Sequence, residues 1–203
     1  MPPDILPDTS DLAAPPSPAL DFLLTRRSCP PKLLALPVPT AAQLLPLLTA
    51  AARVPDHGKL EPWRFIVLQG AALARLADLA EARAVALGKD AEQTAKGRGQ
   101  YDQAHLAVVV VSSPKASDKV PPVEQLLSAG AVCLGLVNAA LASGWGACWL
   151  TGWPAHERGF VTAGLGLAAG ESVAGIIHIA SPTVTVTDRP RPDVAALTTW
   201  VSA

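Results

Sequence analysis

One stretch of the sequence limits the possible folds more than any other. Between Glu124 and His156 the only ionisable side chains are the thiols of two cysteines. By length alone this stretch could span a bilayer. However, polar side chains and a glycine-flanked tryptophan interrupt it, at Gln125, Ser128, Asn138, Ser143 and Gly144-Trp145-Gly146. No basic cluster flanks it to set an orientation. We therefore favour a buried helix followed by a buried strand over a transmembrane span.

Helical and strand patterns alternate along the chain. The predicted helices cover residues 21–26, 40–53, 71–87, 121–143 and 156–165, and the predicted strands cover residues 64–68, 106–112, 147–150 and 173–180. The run Val108–Val111 is typical of a fully buried central strand. Four prolines predict a loop over residues 29–39, and polar composition predicts a link over residues 88–103. The alternation predicts an α+β or α/β domain with a sheet between helical layers.

Length and composition restrict the classes of protein. The 203 residues fit one domain, which we place at residues 20–203 after a proline-rich and disordered tail, residues 1–19. Half of the residues are hydrophobic and 16% are charged, which suggests additional buried surface such as a subunit interface. A net charge of -1 gives no attraction to nucleic acid or anionic membranes. Three widely spaced cysteines favour a reducing, cytoplasmic location over a disulfide framework.

The sequence lacks the common catalytic and nucleotide-binding motifs. It contains no GxGxxG, no GxxxxGK[ST] and no GxSxG, and its four histidines have no metal-ligand spacing. No side-chain constellation for acid–base or nucleophilic catalysis stands out. If the protein is an enzyme, we expect a cofactor rather than protein residues to supply the reactivity.

Several segments are candidates for binding an anionic or polar ligand. Arg26-Arg27-Ser28 could clamp a phosphate with charge-assisted hydrogen bonds, or could be a solvated basic pair at a helix end. Arg53 and His57 flank a tight turn that could present both to a ligand; alternatively Arg53 pairs with Asp56 and His57 is exposed. The remaining candidates are the strand end Trp149-Leu150-Thr151 and the basic pair Arg189 and Arg191.

Taken in order, these segments resemble the nitroreductase family, and most closely its short branch. The matching marks are the following, in chain order: Arg26-Arg27-Ser28, Arg53-Val54-Pro55-Asp56-His57, Pro62-Trp63-Arg64-Phe65, Ser128-Ala129-Gly130, Gly144-Trp145-Gly146 and Trp149-Leu150-Thr151-Gly152. The likeness extends from about residue 20 to residue 192. Each motif is weak alone, and their shared order carries the resemblance.

The resemblance implies a three-layer α-β-α sandwich with a mainly antiparallel mixed sheet, in an obligate homodimer that binds one FMN in each of two interfacial pockets. It implies hydride transfer from NADH or NADPH through FMN to a nitroaromatic, quinone or related acceptor, in a ping-pong scheme. By position, Arg26, Arg27 and Ser28 would hold the phosphate end of FMN. Arg53 and His57 would reach the same flavin from the other subunit, and Trp149, Leu150 and Thr151 would lie along its ring.

The sequence also departs from the family pattern. Pro30 stands where the first motif often has a second basic residue, and Lys32, or Arg189 and Arg191, would replace that charge. Glu61 precedes the Pro-Trp pair where the family often has Gln or Asn, and Leu150 replaces a polar residue of some relatives. Two alternatives stay open on these grounds: a flavin enzyme of the same fold with other chemistry, such as dehalogenation or desaturation, and a non-catalytic flavin-binding module.

Overall fold

A computed structural model describes residues 17–202 of the protein. Contacts divide these residues into a small unit, residues 17–26 and 188–202, and a large unit, residues 27–187. The predicted disordered tail lies outside the described residues up to residue 16. Pro18 and Ala19, at its end, form the start of a helix. The single domain over residues 20–203 stays a prediction.

The small unit contains helix α1, Pro18–Thr25, and the C-terminal segment. Ser17 caps α1 by accepting a hydrogen bond from the backbone N–H of Leu20 at 3.2 Å. The helix begins three residues before the predicted start because Pro18 is well suited to a first helical position. In the C-terminal segment, Asp193 caps a turn by accepting from the backbone N–H of Ala196 at 3.2 Å.

The large unit carries the sheet and six helices among its described residues. The helices are α2, Ala41–Ala51; α3, Ala71–Ala86; α4, Ala91–Asp102; α5, Pro122–Ala142; α6, Trp153–His156; and α7, Arg158–Leu165. The strands are β1, Leu34–Ala35; β2, Trp63–Gln69; β3, Leu106–Ser112; β4, Gly146–Leu150; and β5, Ser172–Pro182. Thr40 forms the N-cap of α2, in a capping box with Gln43.

Strand β5 organises the sheet. It pairs with β1, β3 and β4, and β2 completes the sheet by pairing with β3. All four pairings within the described residues are antiparallel, with Val109 opposite Ile176 and Cys148 opposite His178. The mainly antiparallel sheet predicted from the sequence is thus confirmed.

Two apolar cores cover the two faces of the sheet. Alternate residues of β3 point to opposite faces, so that Val109 packs with α3 and α7 while Val108 packs with α2 and α5. Every residue of β3 is buried, as the valine run predicts. The three-layer α-β-α arrangement is therefore confirmed.

Helix α5 is buried along one side rather than on all sides. On length and composition it could cross a membrane. Eight of its residues are nevertheless buried, among them Val132, Leu136 and Ala140, which pack into the core. The following strand β4 is buried at Gly146, Ala147 and Cys148. The predicted buried helix and buried strand are confirmed.

Two sequence-based predictions of irregular structure are wrong. Residues 88–103 were predicted as a link but contain α4, whose Asp90 cap accepts from the backbone N–H of Gln93 at 2.8 Å. Helix α4 lacks the stripe of apolar residues by which a helix is recognised in a sequence. It is held to α3 by ion pairs of Arg98 with Asp78 and Glu81. Residues 29–39 were predicted as loop but include the 3₁₀ turn Pro31–Leu33 and β1, which exists through its pairing with β5.

Candidate functional site

A cavity lies between α4 and the connection from β4 to α6, and we call it the α4 slot. Its volume is about 540 Å³. One wall is a stripe along α4 at helical spacing: Glu92, Ala95, Lys96, Gly99, Gln100 and Gln103. The other wall is Leu150, Thr151 and Gly152, and Pro31 closes one end. The slot is therefore a gap between a helix and the end of a strand, with small residues at its centre.

The strand end predicted to lie along a ligand contributes only in part to this slot. Leu150 and Thr151 line it, as expected from their place at the end of β4. Trp149 does not, because alternation along the strand puts its side chain on the opposite face of the sheet. There the indole lies against Gly175, where a Cβ atom would collide with it. A polar wall on α4, including Gln100, was missed because α4 itself was not predicted.

The basic motif before β1 is split between the two units. Arg26 is the C-cap residue of α1, and its backbone N–H donates to Phe22 at 2.8 Å. In the large unit, Arg27 Nε donates to the carbonyl of Thr187 at 3.1 Å, and Ser28 is exposed. The next residue, Cys29, donates its N–H to Ala147 of β4 at 2.8 Å. Arg27 and Ser28 therefore enter a segment that runs beside the strand lining the slot.

Arg189 and Arg191 are exposed in the small unit. Arg191 forms an ion pair with Asp188 at 2.7 Å. The role of this basic pair at a phosphate stays a prediction.

A second cavity lies where the turn after α2 meets the start of α5, and we call it the α5 cleft. Its volume is about 310 Å³, and its lining includes Pro55, His57, Glu124 and Leu127. It shares no lining residue with the α4 slot. Ser128 Oγ fixes one side of the cleft by donating to the carbonyl of Pro55 at 2.6 Å.

The turn that carries His57 is strained and tightly held. Lys59 and Glu61 have φ of 55° and 47°, in the left-handed region that side chains other than glycine rarely adopt. The Asp56 carboxylate holds this shape by accepting from the backbone N–H groups of Leu60 and Glu61, at 3.1 and 2.8 Å. Such strain concentrates at functional sites.

The turn resolves the alternative that the sequence left open for Arg53. Asp56 is engaged with the backbone, and Arg53 is exposed without an ion pair to any residue in the range 17–202. His57 is exposed, as that alternative held, but its Nδ1 lies 2.7 Å from Glu124 Oε2. The turn presents Arg53 and His57 outward.

The thiols and the buried histidine near the slot are not suited to catalysis as nucleophile and base. Burial raises the pKa of the Cys148 thiol to about 12 and also raises that of Cys29. Burial lowers the pKa of His178, which lies opposite Cys148 on β5, to about 4. The thiol stays protonated and the imidazole stays neutral at neutral pH. Within residues 17–202, no group of side chains could hold a metal ion.

Comparison with known proteins bears directly on this arrangement. A family model described as the nitroreductase family matches residues 23–181. The chain belongs to the nitroreductase family. It is 34% identical over 164 residues to YdjA of Escherichia coli strain K12, provisionally named an NAD(P)H nitroreductase, which covers 81% of this chain and 88% of YdjA. A Haemophilus influenzae protein with the same provisional description is 39% identical over 135 residues, 66% of this chain and 72% of that protein.

Solved structures of nitroreductases share this fold. A nitroreductase-like family protein from Bacillus cereus has a TM-score of 0.77 at 18% identity and covers 94% of this chain and 99% of its own. A nitroreductase homologue from Desulfovibrio desulfuricans, solved in complex with FMN, has a TM-score of 0.71 at 20% identity and covers 93% and 100%. The protein thus has the α+β fold of the nitroreductases and is an oxidoreductase of this family.

Proposed function

We propose that this protein is an FMN-dependent oxidoreductase that transfers hydride from NADH or NADPH to a nitroaromatic, quinone or related acceptor. Family membership supports it, and so does the presence of FMN in a relative of the same fold. The observation that carries the proposal is the α4 slot, a cavity of about 540 Å³ at the strand end that matches the family motif. FMN, when bound, would supply the redox chemistry, which agrees with the unreactive protein groups around the slot.

The shape and chemistry of the slot fit a flat cofactor ring. Ala95 and Gly99 on the α4 wall have little or no side chain, so a planar group fits between them and Leu150. The strand ends at Leu150, so the backbone N–H groups of the following residues are not used in the sheet. In this proposal Leu150 and Thr151 lie along the ring, and Trp149 contributes through its backbone.

The phosphate end of FMN would be held by guanidinium groups. In this proposal Arg26, Arg27 and Ser28 bind it, and Arg189 and Arg191 supply further positive charge. The arginines are always charged at neutral pH and can donate paired hydrogen bonds to phosphate oxygens. The segment from Arg27 runs into Cys29, which is hydrogen-bonded to β4, and this connection favours a ligand that extends from the slot towards the motif.

A homodimer would complete the site. Helix α5 exposes a set of large apolar side chains on the side away from the core: Val123, Leu126, Leu127 and Leu134. A second copy of the chain would bury this surface, and the high apolar content of the sequence agrees. Arg53 and His57, beside the start of α5, would then reach the flavin of the partner. We also propose that the protein is cytoplasmic, in keeping with its three free cysteines.

The absorbance spectrum of the purified protein tests this function. We expect flavin bands in the blue, and we expect NADH or NADPH to bleach them without oxygen. Bleaching should reverse when a quinone or nitroaromatic compound is added. A colourless protein that fails to bind added FMN would refute the cofactor assignment, and bound flavin that neither nucleotide reduces would favour a non-catalytic flavin-binding module.

Titration of the apo-protein with FMN tests the phosphate assignment. Arg26→Ala should raise the Kd by about one to two decades, because a charge-assisted hydrogen bond contributes about 1.5–3 kcal/mol. Arg75→Ala is the matched control, since it removes an exposed arginine of α3 that donates to the carbonyl of Gly164. Equal Kd values for the two variants would remove Arg26 from the site.

A further inference from the structure

The wall of the α4 slot is uncharged over most of its length. Two charged side chains occur among the described residues that line it, Glu92 and Lys96, and they lie one turn apart on α4. The other lining residues are apolar or carry neutral polar groups. Of the described side chains, a ligand in the slot therefore meets positive charge only at Lys96.

The contact between Lys96 and Glu92 is easily exchanged for another. Lys96 Nζ lies 2.6 Å from Glu92 Oε1, and the two side chains are 63% and 73% exposed. An exposed ion pair of this kind is weak, because water screens both charges and two long side chains must be held in one geometry. Lys96 can therefore leave Glu92 for the anionic group of a ligand at little cost.

Glu92 does not depend on Lys96 for a favourable electrostatic environment. It lies in the first turn of α4, directly after the N-cap residue Asp90 and one further residue. The positive end of a helix dipole stabilises a carboxylate in the first turn. When Lys96 turns towards a ligand, Glu92 keeps this stabilisation, and water replaces the ammonium group.

The backbone that carries Lys96 is held in place. Gly97 lies against the ring of Trp153, at a distance that leaves no room for a side chain. Trp153 Nε1 donates to the backbone carbonyl of Gln93 at 2.9 Å. Small side chains at Ala95 and Gly99 leave space beside Lys96 in the slot. The lysine therefore combines a fixed Cα position with an exposed side chain that can change rotamer.

We propose that Lys96 selects substrates that carry an anionic group, by donating a charge-assisted hydrogen bond from Nζ to an oxygen of that group in the α4 slot. The compact ammonium group of lysine suits a carboxylate or a phosphate. The inference rests on the proposed function, in which two kinds of substrate carry such an anion: a carboxylated nitroaromatic acceptor, and NADPH through the phosphate that NADH lacks.

Binding of matched ligands to the oxidised holoenzyme tests the inference without turnover. The compounds 4-nitrobenzoate and 4-nitrobenzamide have nearly the same size and differ in charge, and NADP⁺ and NAD⁺ differ by one phosphate. Titration calorimetry gives the Kd of each ligand for the wild type, Lys96→Gln and Glu92→Gln. Lys119→Gln is the matched control, because it removes an exposed lysine that lines neither the α4 slot nor the α5 cleft.

We expect Lys96→Gln to raise the Kd of the anionic member of a pair about fivefold, and to change that of its partner less than twofold. Glu92→Gln should act in the opposite direction and lower the same Kd about twofold, because it removes the carboxylate that competes for Lys96. Both effects should shrink at high salt. A change in the nitrobenzoate pair assigns the anion to the acceptor, and a change in the nucleotide pair assigns it to NADPH.

Unchanged Kd values for 4-nitrobenzoate and NADP⁺ in Lys96→Gln, with the fold checked by circular dichroism, would overturn the inference and leave the proposed function intact. Equal losses for both members of a pair would also overturn it, because they would indicate a change in the shape of the slot. Loss of FMN from Lys96→Gln would place the lysine at the cofactor rather than at a substrate. A wild-type protein that binds no FMN would instead refute the proposed function, and the inference would fall with it.

Discussion

His57 Nδ1 lies 2.7 Å from Glu124 Oε2, so a hydrogen bond joins the turn before β2 to the first turn of α5. The two side chains are 60% and 45% exposed. An exposed pair of this kind contributes only about 0–1 kcal/mol to stability. Its effect is to orient the imidazole, because the carboxylate engages Nδ1 and leaves Nε2 available for another partner.

Glu124→Gln should separate orientation from stability. We expect the free energy of unfolding to change by less than about 1 kcal/mol, since the pair is solvent-exposed. If His57 contacts the flavin of a second subunit as proposed, the Kd for FMN should rise, because His57 would lose the group that orients it. Urea denaturation and FMN titration measure the two effects. The control is Asp118→Asn, at an exposed carboxylate without an ion pair among the described residues. An unchanged Kd for FMN in Glu124→Gln would argue against His57 as a flavin contact.

Two glycines of α4 should respond in opposite ways to the same substitution. A Cβ atom at Gly97 would lie 2.5 Å from Trp153 Nε1, so Gly97→Ala should lower the free energy of unfolding by about 1–3 kcal/mol. At Gly99 the nearest atom would be Gln103 Nε2 at 3.5 Å, so Gly99→Ala should raise it by about 0.5–1 kcal/mol through helix propensity. Urea denaturation of both variants provides the comparison, and equal effects would contradict the close contact of α4 with Trp153.

Two carboxylates should make the protein less stable in acid. The hydrogen-bonded Arg64 lowers the pKa of Glu171 to about 2 from an ordinary value of 4.5, and Arg83 does the same for Glu157. Because both values are lower in the folded state, the stabilisation is present above pH 4.5 and is lost as the pH falls towards 2. Glu171→Gln should lower the free energy of unfolding by about 1–2 kcal/mol at pH 7, a figure that allows for the partial exposure of Arg64, and should have little effect near pH 2.

Unfolding measured at pH 7, 4 and 3 checks this pH dependence. Asp118→Asn is again the control and should leave the slope of stability with pH unchanged. A slope that Glu171→Gln does not reduce would mean that other groups govern acid unfolding.

The three cysteines should be unreactive in the folded protein. Cys29, Cys133 and Cys148 are free and buried, and burial raises the pKa of Cys133 and of Cys148 to about 12. The thiolate is the form of cysteine that reacts with thiol reagents. Burial of the sulfur and the raised pKa of the thiol therefore both slow that reaction. At pH 8 we expect Ellman's reagent to find no fast-reacting thiol in the native protein and three in guanidinium chloride. One fast thiol in the native state would show that its segment opens readily.

A charge on the exposed side of α5 should disrupt a homodimer. Leu127 is 67% exposed and lines the α5 cleft. If a second copy covers this surface, Leu127→Glu would place a carboxylate in an apolar interface, and sedimentation should report a shift from dimer to monomer. Leu87→Glu, at an exposed leucine after α3, is the control. A wild-type protein that is monomeric would exclude the proposed interfacial site.

The sequence predicts those parts of the fold whose causes are local or are visible in the apolar pattern. The capping box at Thr40 depends on residues three apart, and the buried strand β3 shows directly as a run of valines. Helix α4 escapes prediction because its partners are distant: Arg98 binds Asp78 and Glu81, twenty and seventeen residues away. The two-residue strand β1 depends on β5, nearly 150 residues later.

In the candidate site, too, only the residues whose positions have local causes can be predicted from the sequence. Leu150 and Thr151 line the cavity at a strand end, where backbone groups are unused, and a strand end can be predicted from sequence; their contact with a ligand stays a prediction. Gln100 was missed because its position depends on the missing Cβ of Gly152, a contact that exists only after α4 has packed. The pairing of His57 with Glu124 joins residues 67 positions apart and leaves no mark in either segment.

The position of β5 in the sheet has a consequence for synthesis of the protein. This strand ends at Pro182 and supplies the hydrogen-bonding partners of β1, β3 and β4. Residues up to 182 must therefore leave the ribosome before β1 and β4 can join the sheet and before β3 gains its second neighbour. Until then the valine-rich β3 has only β2 beside it, and its other edge is unpaired and open to self-association.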